Sequence, residues 1–344
     1  MYYLGTLYAY SLNGSKLWEN ASGYVVKLHP IDGGVLAGSM GGLILFDNSS
    51  RILSVANTMG KLYDFTVKDG VIYAAGGDYF ISGPNSSVTY RGSLYAVNLG
   101  KNLTFIWNVS VDDMLSRVRV GRGVIYASSG FPSGYSFSHQ FGSLYAFSLD
   151  GRPPLWNITL GHWVRDMEVW NGSALLGTGF DNSRGGEIYL VSPNGEVLMK
   201  GGSAFYVEDI LVVGGDTAYV SGGYNGQNGS VISLRLPSGQ VIWEQELPYR
   251  AKVMAYSDGL LLVGVGKFEQ KTENGTTYIY SVGSLYALDP ESGEVVGSVP
   301  NTGYVRSIAV LGGDRAVVGT ASSEFYVIDV SASRAKRERA GRRV

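Results

Sequence analysis

Few side chains in this sequence are spaced as catalytic or metal-binding groups are. Its three histidines, His29, His139 and His162, stand apart, and it has no cysteine. Metal sites need clustered ligands, so no metal centre and no thiolate chemistry are expected. A disulfide framework is excluded as well. Asp112-Asp113 is an adjacent carboxylate pair; its plain reading is a solvated turn, its sharper one a calcium or sugar contact. Gly222-Gly223-Tyr224-Asn225-Gly226 is rich in glycine, but no helix follows to receive a phosphate. No Gly-x-Ser-x-Gly nucleophile elbow occurs.

One charged pattern does recur. At the start of successive apolar strands stand Lys27, Asp64, Arg117, Arg165 with Asp166, Glu208 with Asp209, Lys252 and Arg306. Charges are rarely buried unless paired. These residues are therefore read either as a polar funnel for an anionic, sugar-like or peptide ligand, or as charges that neutralise one another and hold the strands in register. A second group is aromatic. Tyr79, Phe80, Tyr135, Phe137, His139, Tyr224, Tyr278 and Tyr280 lie among Gly, Ser and Asn, and the long insertions are 76–91, 129–141 and 264–282. Tyrosine with small polar residues is the composition of adaptable binding loops.

The elements that must carry these residues come from an internal repeat. A small residue, one variable residue and an apolar–aromatic run recur, as in Gly92-Ser93-Leu94-Tyr95-Ala96, Gly142-Ser143-Leu144-Tyr145-Ala146 and Gly283-Ser284-Leu285-Tyr286-Ala287. Eight copies begin near residues 5, 42, 92, 142, 186, 229, 283 and 323. Each interval has room for four short strands. A turn follows the phrase, then a strand bearing Trp18, Trp107, Trp156 or Trp243, and Asp-Gly or Asn-Gly hairpin signals close later strands. With strands named A to D from innermost to outermost, the phrase is strand C and the tryptophan strand is D. The pattern contains seven A, seven B and eight C strands. Seven four-stranded antiparallel blades are expected, or eight, with the ring closed by pairing the C-terminal A and B strands to a D strand near Lys16-Leu17-Trp18.

Leu-Tyr-Ala, then Asp or Ser, a glycine turn and a tryptophan resembles the PQQ-type (quinoprotein-like) propeller repeat. It is similar to the propeller of the outer-membrane assembly lipoprotein family. The resemblance covers residues 5 to 330 and implies an all-β single propeller over 1–330. It raises a PQQ-dependent dehydrogenase as a question, but such enzymes are longer, and many stack the cofactor on a vicinal disulfide that cysteine-free residues cannot make. No cofactor is expected.

Net charge is -2, yet the last 14 residues hold six basic groups against Glu338, which is +5 and leaves -7 elsewhere. That balance disfavours nucleic acid as partner and makes 331–344 a basic tail expected to be disordered. No run is long and apolar enough for a membrane helix, and no signal peptide is evident. Asn-x-Ser/Thr occurs at Asn13, Asn20, Asn48, Asn85, Asn102, Asn108, Asn157, Asn171, Asn228 and Asn274. Ten of sixteen asparagines is several-fold above chance, which points to an extracellular or cell-surface glycoprotein, plausibly archaeal; the alternative is a cytoplasmic protein. The expectation is a non-catalytic binding or scaffold propeller that meets a protein or glycan on its top face and funnel. The alternative is an enzyme acting on a glycan or small molecule with Asp64, Asp112, Asp113, Asp166 and Asp209.

Overall fold

The computed structural model describes residues 5–82, 87–130, 141–179, 185–224, 228–312 and 314–341. It is built almost wholly of antiparallel strands in eight sheets. The first sheet has two strands, β1 (Thr6–Tyr10) and β2 (Lys16–Ala21). Six four-stranded sheets follow in chain order. They are β3 (Val25–Ile31), β4 (Gly34–Ser39), β5 (Gly42–Asp47), β6 (Ile52–Asn57); β7 (Lys61–Lys68), β8 (Val71–Ser82), β9 (Ser87–Leu99), β10 (Leu103–Val111); and β11 (Leu115–Val120), β12 (Val124–Ser129), β13 (Ser143–Ser148), β14 (Trp156–Thr159). Next come β15 (Val164–Trp170), β16 (Ser173–Thr178), β17 (Gly186–Val191), β18 (Val197–Ser203); and β19 (Val207–Val213), β20 (Thr217–Gly223), β21 (Gly229–Arg235), β22 (Gln240–Leu247). The sixth is β23 (Ala251–Ser257), β24 (Leu260–Glu273), β25 (Thr276–Leu288), β26 (Val295–Pro300). The last sheet has three strands, β27 (Val305–Gly312), β28 (Arg315–Thr320) and β29 (Phe325–Asp329), and helix α1 (Ser331–Gly341) follows.

The strand order within each sheet is the expected A to D, and the recurring phrase forms the C strands. The termini differ from expectation. β2 pairs with β1, and β28 with β29, in place of a sheet made of β27, β28 and β2. Each C-type strand pairs with its own hairpin neighbour, because a short turn closes a pair at little entropic cost.

Two compact units emerge, residues 1–174 with 191–196, and residues 175–190 with 197–344. In the first, Leu36, Leu45, Phe65, Ile72 and Val97 fill the layer between the β3–β6 and β7–β10 sheets. Leu94, Leu115, Val118, Ile125 and Phe147 fill the next layer. The β1–β2 pair lays Leu7 and Trp18 on Phe46 of the neighbouring sheet. In the second unit, Val231, Met254, Leu261 and Val263 form one layer and Leu262, Leu285, Val305 and Val318 another. The B strands lie inside these layers: β12 is buried at every position. Facing sheets approach closely because B strands carry glycine where the next A strand presses. A Cβ on Gly38 would stand 2.7 Å from the Phe65 ring, and one on Gly264 2.3 Å from Val305.

The tryptophan of the repeat is a docking residue. The indole N–H groups of Trp18, Trp107, Trp156 and Trp243 donate to the carbonyls of Asn48, Leu149, Pro193 and Pro290 at 2.9–3.0 Å. Each acceptor lies in the C–D turn of the following sheet, one residue after its leading Asp or Ser. That leading side chain organises the turn: Asp289 Oδ1 accepts from the N–H groups of Glu291 and Ser292. The turn glycine sits beneath the indole. Gly293 has φ 78°, and a Cβ there would stand 2.6 Å from the Trp243 ring. Positive φ and contact with the indole both favour glycine; in the turn that receives Trp18 the place is taken by Ser50, at φ 74°. Met199 takes the tryptophan's place over Gly239.

Where a disordered tail is expected, the described residues form helix α1. Ser331 N–H donates to Asp329 at the start of α1. Arg334 pairs with Asp258 and Asp314, and Arg337 with Asp289 and Glu291. The basic run thus finds carboxylates on the turns of its own unit, which the sequence spacing does not reveal. Ser333 packs on Gly297, the position where other D strands carry tryptophan. Arg337→Ala is expected to cost about 0.5–1 kcal/mol, and thermal unfolding at low and high salt should show the loss shrinking as salt rises.

Candidate functional site

The charged residues expected at the A-strand starts are at the strand ends that adjoin the B–C connections: Val25 pairs with Ser39, Lys61 with Gly77 and Ala251 with Val265. They do not form one ring of equivalent positions. A β-bulge interrupts six of these strands, between Val25 and Lys27, Leu62 and Asp64, Leu115 and Arg117, Val207 and Asp209, Ala251 and Val253, and Val305 and Ser307. Glu208, Lys252 and Arg306 are the extra, bulged residues, whereas Lys27, Asp64, Arg117 and Asp209 follow the bulge. A bulge sets two residues against one, so it turns these neighbours in different directions.

In the first unit the charges make one chain across four A strands. Lys27 Nζ lies 2.8 Å from Asp64 Oδ1 and donates to the Phe65 carbonyl at 2.7 Å. Asp64 is buried. It accepts from the N–H of Phe65 at 2.9 Å and of Val118 at 3.1 Å, and from Arg119 Nη1 at 2.7 Å. Arg119 Nε also reaches Glu168 at 2.9 Å, and Arg117 Nε reaches Asp166 at 3.3 Å. Three cations thus balance three anions. Burial alone would raise the Asp64 carboxyl, but Arg119, Lys27 and Arg117 outweigh it and hold it at about 2. Burial and the nearby Asp166 raise the Glu168 carboxyl, against the pull of Arg119. Burial opposes the charge on Arg119, but Asp64, Glu168 and Asp166 more than offset it and raise its pKa.

The second unit repeats part of this. Glu208 is almost wholly buried and pairs with Arg250 and Lys252. Asp209 accepts from the N–H of Met254, as Asp64 does from Val118. Both donors stand two residues beyond the bulged position of the next A strand, so the contact is a property of the repeat. The Arg250 guanidinium lies 4.5 Å from the centre of the Tyr206 ring, and Tyr224 meets that ring edge-on at 5.1 Å. Arg165 and Arg306 lie over Trp163 and Tyr304, at 5.3 and 5.2 Å.

Arg119, Glu168 and Arg250 were not expected. Their signal is period-two alternation: Arg119 and Glu168 follow Arg117 and Asp166 by two residues, on the same side of their strands. Of the remaining carboxylates, Asp113 accepts from Met114 N–H and from the Ser129 hydroxyl, and Asp112 is exposed. Among the described residues no three His, Asp or Glu side chains gather as a metal site.

Two insertions read as loops are ribbons. β8 and β9 continue their ladder to Ser82 and Ser87, and β24 and β25 continue to Glu273 and Thr276. Asn274 and Gly275 both have positive φ, as a two-residue hairpin turn requires. That Asn-Gly signal and the alternation beside it are legible in the sequence. On the β24–β25 ribbon Phe268 and Tyr278 are each 54% exposed and Ile279 is 66% exposed. Tyr280 is exposed and donates to Glu269 at 2.7 Å. Tyr79 lies under Lys61 at 5.2 Å, and Phe80 is exposed. Tyr135, Phe137 and His139 lie outside the described residues, as does Asn85. Of the other nine Asn-x-Ser/Thr asparagines all are exposed except Asn20, which is half-buried and donates to the Ser50 carbonyl at 2.9 Å. Asn20, Asn108 and Asn157 lie within D strands, not in turns.

No family model matches the sequence, and no curated protein matches it. Solved structures do. Sqt1 of Saccharomyces cerevisiae is similar with a TM-score of 0.69 at 11% identity, over 95% of this chain and 90% of that one. BamB of Moraxella catarrhalis is similar at 0.57 and 12% identity, over 94% and 90%. The WD40 β-propeller domain of Doa1 is similar at 0.58 and 12% identity, over 88% and 92%. At such identities the likeness concerns fold alone, and with the repeated A-to-D sheets it makes this chain a β-propeller.

Proposed function

We propose that the protein is a non-catalytic binding or scaffold propeller of the cell surface, with residues 1–330 forming a single propeller. It meets a protein or glycan partner on the face where the A strands begin. The seven-blade count is part of this proposal and rests on the seven A strands β3, β7, β11, β15, β19, β23 and β27; eight blades is the alternative. The observation that carries the binding reading is the β24–β25 ribbon, which holds Phe268, Tyr278, Ile279 and Tyr280 exposed at the same sheet edge as the A-strand charges. Exposed aromatic groups on one ribbon support an interaction site there. The A-strand carboxylates, by contrast, are engaged by arginine, lysine and backbone N–H groups. The exposed Asn-x-Ser/Thr sites support an extracytoplasmic compartment with N-glycosylation.

The test is a glycan array and photocrosslinking from residue 278, comparing wild type with Tyr278→Ser/Ile279→Ser/Tyr280→Ser. The variant is expected to keep its melting temperature, since exposed substitutions stay within about ±0.5 kcal/mol. It should lose partner binding by about tenfold or more. Unchanged binding would overturn the ribbon as the site. Turnover of a glycan that is abolished by Glu168→Gln would overturn the non-catalytic reading in favour of an enzyme, since the Glu168 carboxyl is raised while that of Asp64 is held low.

A further inference from the structure

Three sheets share a row of side chains that crosses strands B, C and D in register. It reads Tyr73–Ala96–Trp107, Tyr126–Ala146–Trp156 and Tyr219–Ser233–Trp243. The small middle residue lets the two rings meet across it, with centroids 6.2, 6.2 and 5.7 Å apart. In the β3–β6 sheet the row is Leu36–Leu45–Ser54 and has no rings. There a leucine takes the small residue's place, and Leu103 of the following sheet closes in, its N–H on Ser54 Oγ at 2.9 Å. In the β23–β26 sheet the row is Leu262–Ala287–Gly297. Both rings are replaced, yet the middle residue is still small, and α1 brings only Ala332 and Ser333 against that row. A cavity of about 350 Å³ results, within the range of about 300–1,000 Å³ that small-molecule sites occupy.

Its walls are the buried side chains of Leu285, Val296, Ile328 and Val330, and its whole lining belongs to the second compact unit. The polar groups that line it differ in how far they are committed. Asp329 accepts the Ser331 N–H at 2.8 Å at the start of α1. Arg334 and Arg337 of the same helix are paired with carboxylates, whereas Lys336, on the lining itself, makes no ion pair among the described residues. We propose that this cavity binds a small planar aromatic carboxylate, its ring on Ala287 and Gly297 under α1 and its acid group at Lys336. Burial of the ring against apolar walls drives entry, and the row supplies the shape, since it holds two aromatic rings in three other sheets. Lys336 supplies the sign, because an ammonium without a counter-ion attracts an anion, while Asp329 is already engaged by the helix backbone.

The probes are indole-3-acetate, indole and tryptamine, one ring as anion, neutral molecule and cation, titrated calorimetrically into the full chain. Saturable one-site binding is expected for indole-3-acetate, about tenfold weaker for indole and weaker again for tryptamine. Lys336 is exposed, so Lys336→Gln should leave the fold intact, weaken indole-3-acetate about tenfold and leave indole unchanged. Ala287→Leu gives this row the leucine that Leu45 supplies in the β3–β6 sheet. It should abolish binding of all three probes, and an unchanged or raised melting temperature would show a filled cavity rather than a lost fold. If Ala287→Leu unfolds the protein, the Lys336→Gln comparison decides alone. No saturable binding of indole-3-acetate, tryptamine binding as tightly as the acid, unchanged affinity of Lys336→Gln for the acid, or full binding by a folded Ala287→Leu protein would each overturn the site.

Discussion

Asp64→Asn is expected to lower the free energy of unfolding by about 3–5 kcal/mol, the cost of leaving buried cations without their counter-charge. Asp64 is buried among four A-strand donors, and its replacement leaves Arg119, only 16% exposed, facing a neutral amide. The substitution preserves shape, so the loss reports charge and hydrogen bonding rather than a cavity. Urea unfolding at neutral pH measures it, and a loss below about 1 kcal/mol, the level of a surface pair, would show that the chain does not hold the A strands together.

The same prediction has a pH arm. The Asp64 carboxyl falls from 3.8 to about 2 on folding. A depressed carboxylate contributes stability that is complete above its unfolded value and is lost as pH falls through the folded one. The shift corresponds to about 2–3 kcal/mol at about 1.4 kcal/mol per unit. The difference between wild type and Asp64→Asn should therefore hold steady above about pH 5 and shrink by that amount as pH falls to about 1. Glu168 has the opposite sign. Its carboxyl is raised on folding, so it weakens the fold once pH passes its ordinary value. A difference independent of pH would place the acid sensitivity on other carboxylates.

Trp107→Ala is expected to cost about 2–4 kcal/mol, the range for large aromatic truncation reduced for a half-buried ring. The indole joins two sheets: it packs against Tyr73 in its own sheet and lies on Gly151 of the next, with its N–H on Leu149 O. Trp107→Phe keeps most of the ring contact and loses the hydrogen bond, so it should cost about 1 kcal/mol more than packing alone. Calorimetric melting of the two variants separates the terms. If both cost the same, the indole N–H rather than the ring area supports the junction. If neither does, the repeat tryptophan does not fasten the sheets.

The repeat was legible because it is local. A C strand, a turn led by Asp or Ser, a glycine and a tryptophan lie within some fifteen residues. The side-chain oxygen caps the turn's N–H groups and glycine supplies positive φ, both by short-range chemistry, whereas the indole lies on the turn glycine of the following sheet, as Trp107 does on Gly151. Strand order from A to D followed from the same spacing. The A-strand charges were legible as a class, since Lys27, Asp64, Arg117 and Asp209 recur at one place in the repeat. Their pairing was not. Arg119 bonds Asp64 across 55 residues, and nothing in local sequence selects that partner over another. The bulges are not legible either, because one extra residue in a strand leaves composition and periodicity almost unchanged.

By itself, the sequence determined the all-β class, the four-strand unit, the D-strand role of Trp18, Trp107, Trp156 and Trp243, and a cysteine-free chain without clustered histidines. Each depends on residue type and on spacing within one repeat. Only tertiary structure decided that the A-strand charges form a neutral chain, that Glu208 is shared by Arg250 and Lys252, and that the basic tail becomes a helix held by Asp258, Asp289 and Asp314. These outcomes rest on which distant groups meet when sheets stack, and on burial that strengthens charge pairing once water is excluded.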